Sequence, residues 1–125
     1  MRSVISHRVT GYACRVEVRQ FELKVDEPVD EGGADTGPRP TELLLAAVAS
    51  CFTIAIAHVA KKHGRELNGL SVVATGEYDG PRFSRIHARA RAAIGRDDLA
   101  WLLERAARVC YVSNSLGCEF TYSTD

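Results

Sequence analysis

Between Leu43 and Ala60 the chain runs LLLAAVASCFTIAIAHVA, apolar on every side of a helical wheel and interrupted only by Ser50, Thr53 and His58. A helix without a polar face belongs in a protein interior. At a rise of about 1.5 Å per residue, a central helix of some 20 residues spans ~30 Å. A short chain cannot cover that surface on every side, so a partner subunit is the expected source of the missing cover. Both helix ends are marked. Gly37-Pro38-Arg39-Pro40 stops the preceding structure, Thr41 is the expected cap of the first turn, and Glu42 sets a carboxylate at the positive end of the helix dipole. Lys61, Lys62 and His63 precede Gly64 at the opposite end.

The flanking segments alternate instead. Residues 3–9 do so weakly, and Cys14, Val16 and Val18 share one face of a predicted strand. The apolar parity then changes to Phe21, Leu23 and Val25, which requires a turn or bulge near Arg19-Gln20 if both halves feed one sheet face. Asp26 to Pro40, 15 residues rich in Pro and Gly, reads as a loop without regular structure, and a connection of that length is more often functional. After the helix, Leu70–Tyr78 predicts a strand and Asp79-Gly80-Pro81 a turn. Phe83–Ile94 predicts a second strand, with Ile86, Ala88, Ala90, Ala92 and Ile94 on one face and Arg85, His87, Arg89 and Arg91 on the other. Asp97 or Asp98 is the expected cap of a second helix, whose stripe is Leu99, Leu102, Leu103, Ala106, Val109 and Cys110. Cys118–Tyr122 predicts a closing strand. Strands, long helix, strands, helix, strand make an α+β protein.

Size and charge narrow the function. With 125 residues and 13.7 kDa, the chain is expected to be one domain over residues 1–125. Lys plus Arg equals Asp plus Glu at 16 each, leaving no net charge to draw in a nucleic acid. The basic face at Arg85, His87, Arg89 and Arg91 lacks interleaved aromatics for stacking bases and reads as a solvated sheet face. The apolar run falls short of the ~20 residues of a membrane span, and charges at Arg2, His7, Arg8, Arg15 and Glu17 break up any secretory leader. A cytoplasmic protein is expected.

The chemistry-bearing candidates are the cysteines at 14, 51, 110 and 118. No close pair among them has zinc spacing, so no metal is expected, and no glycine motif suggests a nucleotide cofactor. Cys14 and Cys118 lie in strand-like segments and read as core. Cys51, mid-helix, and Cys110, 59 residues on, each fit a packed thiol equally well and meet only through the fold. His58 shares the stripe of Cys51 but sits about 10 Å along the axis, too far for direct proton transfer, and reads as a core or dimer-seam histidine. Glu42 lies on the opposite side of the helix, more than ~13 Å away.

The run Gly37-Pro38-Arg39-Pro40-Thr41-Glu42-Leu43-Leu44-Leu45-Ala46-Ala47 continuing to Cys51-Phe52, followed by Cys110-Tyr111-Val112-Ser113-Asn114, closely resembles the OsmC/Ohr family of osmotically inducible and organic hydroperoxide resistance proteins. Val25-Asp26-Glu27-Pro28 and Gly32-Gly33 resemble its general OsmC-like branch. The resemblance implies an intertwined homodimer in which long buried central helices and second helices pack with antiparallel sheets. It implies that Cys51 attacks a small organic hydroperoxide, that Cys110 resolves the sulfenic acid as a disulfide, and that an external dithiol reduces it, with no cofactor. It also implies an activating arginine from the N-terminal strands, Arg19 first and Arg8 second, and a glutamate near the helix start. Here the position after the proline is Thr41 and Glu42 is its neighbour, while Tyr111 replaces the usual proline after the resolving cysteine. The alternative is a non-peroxidatic homodimer of the same fold that binds a small apolar or electrophilic ligand or a protein partner.

Overall fold

The computed structural model describes residues 2–125 and contains two compact units, one ending at Leu44 and the other running from Leu45 to Asp125. The first opens with an antiparallel meander of β1 (Ile5–Thr10), β2 (Ala13–Val18) and β3 (Phe21–Val25). Its register explains the parity change. Cys14 faces Val25, Val16 faces Leu23 and Val18 faces Phe21, so a two-residue turn at Arg19-Gln20 brings both apolar sets to one face. Arg19 takes the left-handed conformation that turn requires, at φ 54°.

The loop after β3 is more ordered than its composition suggests. It contains a single 3-10 turn at Val29–Glu31 and is organised around the buried carboxylate of Asp26. That carboxylate accepts hydrogen bonds from the Thr36 hydroxyl at 2.7 Å, from the backbone of Glu27 at 2.7 Å, and from the backbones of Ala34 and Thr36 at 3.2 Å each. A Cβ at Gly33 would collide with the Glu27 carbonyl, and one at Gly37 with the Lys24 carbonyl, so both glycines are needed for close backbone approach.

Helix α1 (Pro40–Lys62) begins one residue before the expected cap, with proline in the first helical position. Thr41 therefore lies inside the first turn. The capping contact is instead Glu42, whose carboxylate accepts the Arg39 N–H at 2.9 Å. The helix is 23 residues long with a mean hydropathy of 2.2 over its most apolar window, so by length and composition it could span a membrane, contrary to the shorter run read from the sequence. Val48, Phe52, Ala55, Ile56, Val59 and Ala60 are nevertheless buried in protein.

In the second unit β4 (Ser71–Asp79) and β5 (Arg82–Arg91) form an antiparallel hairpin. Helices α2 (Arg96–Val109) and α3 (Tyr111–Asn114) then lead to β6 (Glu119–Thr124). Because these helices cross over the sheet, β6 pairs parallel to β5, correcting the expectation of purely antiparallel sheets at this one ladder. Gly95 precedes α2, and Asp97 and Asp98 lie in its first turn without capping it; they complement the helix dipole, and Asp98 also pairs with Arg65 at 3.5 Å. The core forms where α1 meets Ala88 and Ala90 of β5 and Leu99, Leu102, Leu103 and Ala106 of α2. The arginines of the basic face of β5 are all ion-paired, two of them sharing one carboxylate. Arg85 pairs with Glu119, Arg89 and Arg91 with Asp125, and His87 contacts the hydroxyls of Thr121 and Ser123.

Candidate thiol site

The second unit brings Cys51 and Cys110 together, although the two are remote in sequence. Phe52 points into the core against Phe120 and Tyr122, which turns the preceding residue, Cys51, to the half-buried edge of α1. Cys110 occupies the break between α2 and α3, extended at φ −78° and ψ 104°, and is fully buried among the core side chains. Both thiols are free, and Cys51 packs against the core cluster that contains Cys110. The backbone N–H groups of Val112 and Tyr111 act on the Cys51 thiol as hydrogen-bond donors, Val112 the stronger. Burial pushes the Cys51 thiol above its ordinary pKa; the Val112 N–H opposes that, the Cys110 thiol adds to it, and the Tyr111 N–H opposes it.

Cys51 opens onto a cleft of about 670 Å³. Ile54, Ala55 and Val109 supply its apolar wall, and His58, Arg108 and Asn114 its polar one. Ile54 and His58 lie three and seven residues beyond Cys51, which puts all three on one helical stripe. His58 is exposed in this chain and is therefore not a core histidine. Tyr111 stands at the rim, 86% exposed. Spacing alone could not reveal that Arg108, Tyr111 and Asn114 share a cleft with Cys51. The one legible signal was Tyr111 in place of a proline, because only a non-proline residue carries an N–H there.

The other predicted residues belong to the first unit and have partners of their own. The Arg19 guanidinium lies 5.0 Å over the Phe21 ring and donates to Gln20 Oε1 at 3.3 Å. Arg8 Nε donates to the Gly11 carbonyl at 2.8 Å, and Glu42 holds the start of α1. Cys14 Sγ donates to the Tyr12 carbonyl at 3.5 Å, while in the second unit Cys118 packs beside Val48, Phe83 and Ile86. Among the described residues no three His, Cys, Asp or Glu side chains gather as a metal site.

The profile of a family described as OsmC-like protein matches residues 32–124. The chain belongs to the OsmC-like family. An uncharacterized protein of Haloferax volcanii is 31% identical over 110 residues, covering 85% of this chain and 80% of its own length. An organic hydroperoxide resistance protein OsmC of Legionella pneumophila superposes with a TM-score of 0.76 at 22% identity, covering 98% of this chain and 96% of that one. An OsmC-like protein of unknown function from Vibrio cholerae reaches 0.84 at 13% identity, covering 100% and 99%. These likenesses establish the α+β OsmC-like fold for this family member, with α1 as its core helix.

Proposed function

We propose that this OsmC-like protein is a cysteine peroxidase that reduces small organic hydroperoxides. The observation that carries the reading is a half-buried free thiol at a largely apolar cleft with a second, fully buried free thiol in the core cluster it packs against. The cleft wall of Ile54, Ala55 and Val109 suits an alkyl group, and the hydroperoxide resistance role named for the Legionella protein of the same fold agrees. In the reaction the Cys51 thiolate attacks the terminal peroxide oxygen and the O–O bond breaks. The departing alkoxide takes a proton to become an alcohol, and Cys51 becomes a sulfenic acid. Cys110 then attacks that sulfur, expelling water and forming the Cys51–Cys110 disulfide. An external dithiol reduces it by two thiol exchanges, which suits a reducing cytoplasm.

Because burial pushes the Cys51 thiol up, the reaction needs a cation at the sulfur. Arg19, with Arg8 behind it, is the proposed source from the N-terminal strands, and Glu42 the proposed carboxylate that orients it. The second unit has Arg108 at the same cleft, already bonded to Glu104 at 2.9 Å. The working form is a homodimer. Val25 is the one buried hydrophobic residue among the described residues of the first unit, and a three-stranded meander without a core needs cover from elsewhere. Ile54 on α1 is 68% exposed in the single chain, which fits the same need.

The raised thiol pKa favours a second reading, a non-peroxidatic homodimer whose neutral Cys51 lines a ligand cleft. Stopped-flow comparison of cumene hydroperoxide and hydrogen peroxide on the reduced protein separates the two. A peroxidase prefers the organic peroxide, loses all reaction in Cys51→Ser and slows in Arg19→Ala. A wild-type rate equal to that of a simple free thiol at the same pH removes the peroxidase.

A further inference from the structure

An unbroken α-helix would close the Tyr111 N–H onto the Ala107 carbonyl four residues back. Here α2 stops at Val109, Cys110 is extended, and Tyr111 lines the same cleft as Cys51, where its N–H acts as a donor to the thiol. A helix-end carbonyl that loses its donor must find another. Ala107 finds it in a side chain, because Asn114 Nδ2 donates to the Ala107 carbonyl at 2.9 Å. The same nitrogen donates to the Cys110 carbonyl at 2.9 Å, and the Asn114 backbone N–H donates to that carbonyl at 3.1 Å. The Ser113 hydroxyl adds a weaker bond to it at 3.3 Å. One carboxamide therefore spans the break and holds the last turn of α2 to the peptide of the second cysteine.

We propose that Asn114 is a positioning residue for the thiol pair: its side-chain amide takes the place of the Tyr111 N–H on the Ala107 carbonyl and leaves that N–H donating to the Cys51 thiol, with Cys110 held beside it. Without the amide, the Ala107 carbonyl recaptures the Tyr111 N–H, α2 grows by a residue, and the sulfur loses a donor. A proline after the second cysteine would carry no N–H to divert, so the device requires a non-proline residue there, which is Tyr111 in this chain. The titratable groups around the sulfur are Cys110 and Tyr111 at the break, Arg108 with Glu104 on α2, and His58 on α1. Asn114 changes none of their charges.

The purpose assigned to Asn114 rests on the redox reading of Cys51, but its test needs no peroxide. Alkylation of Cys51 by iodoacetamide is followed by peptide mass spectrometry across the thiol ionisation range in the full, reduced chain. Asn114→Ala and the near-isosteric Asn114→Leu should raise the alkylation midpoint by up to about half a pH unit, the effect of losing one donor to a thiolate while the Val112 N–H remains. Asn114→Gln, which keeps the amide at an exposed position, should restore most of it. Tyr111→Pro should give the same rise and add nothing to Asn114→Leu. A purely structural Asn114 would lower the melting temperature and leave the midpoint where it was; that result, or additive shifts in the double variant, overturns the proposal. A shifted midpoint with slow peroxide reduction keeps the positioning role and removes the peroxidase, whereas fast reduction with an unshifted midpoint does the reverse.

Discussion

Oxidation of Cys51 and Cys110 should stabilise the protein, by an amount that follows from where the two residues stand. Closing the bond joins positions 59 residues apart in sequence, and for a loop of that length the lost unfolded-chain entropy corresponds to about 4 kcal/mol at 25 °C. The native state has little reason to cancel this gain, because Cys51 already packs against the core cluster that holds Cys110. The measurement is urea unfolding of reduced protein and of protein treated with one equivalent of cumene hydroperoxide, with the disulfide mapped in the same sample. With a slope near ~2 kcal/mol/M, the midpoint should rise by about 2 M. Cys51→Ser treated in the same way should show no rise, and Cys14 and Cys118 should remain reduced. If the mapped Cys51–Cys110 form unfolds at or below the midpoint of the reduced form, closure strains the α2–α3 break by as much as it gains. The view that the site is pre-arranged for a disulfide is then wrong.

Phe52→Ala should destabilise the fold by about 3 to 5 kcal/mol in urea unfolding, since this fully buried ring packs at 5.7 Å from Phe120 and 5.8 Å from Tyr122. A loss below ~1 kcal/mol would mean that the aromatic cluster does not hold α1 to β6. The hydrogen bond from the Thr36 hydroxyl, with the backbone donors of Glu27, Thr36 and Ala34, holds the Asp26 carboxyl below its ordinary value. Its contribution is therefore fully present above the unfolded carboxylate pKa and disappears as pH falls through the lower, folded value. Protection of the Ala34 and Thr36 amides, taken as exchange relative to the intrinsic rate at each pH, should fall over that acidic window in wild type, and Asp26→Asn should show no such step. Sedimentation at micromolar protein should give about 27 kDa, twice 13.7, and a folded species of 13.7 kDa would exclude the homodimer.

Local pattern determined the elements. Period-2 alternation set β4 and β5, the one-sided stripe set α2, and the apolar run between a proline stop and Gly64 set α1, because these signals arise from neighbours along the chain. The Arg19-Gln20 turn was legible for the same reason, since a reversal is the simplest way to keep two out-of-phase apolar sets on one face. The two motifs around Cys51 and Cys110 pointed to the family without any structure. What the tertiary structure decided was every relation across the chain. The parallel pairing of β6 followed from the crossover of α2 and α3, and Glu42 displaced Thr41 as the capping residue once the helix began at Pro40. The meeting of the two thiols and the cleft shared by Ile54, His58, Arg108 and Tyr111 depend on α1 and α2 packing over the small side chains of β5. The exchange of hydrogen bonds among Ala107, Asn114, Tyr111 and Cys51 lies furthest from the sequence. It depends on a helix stopping one residue early, and no pattern of side chains records which backbone N–H a helix has released.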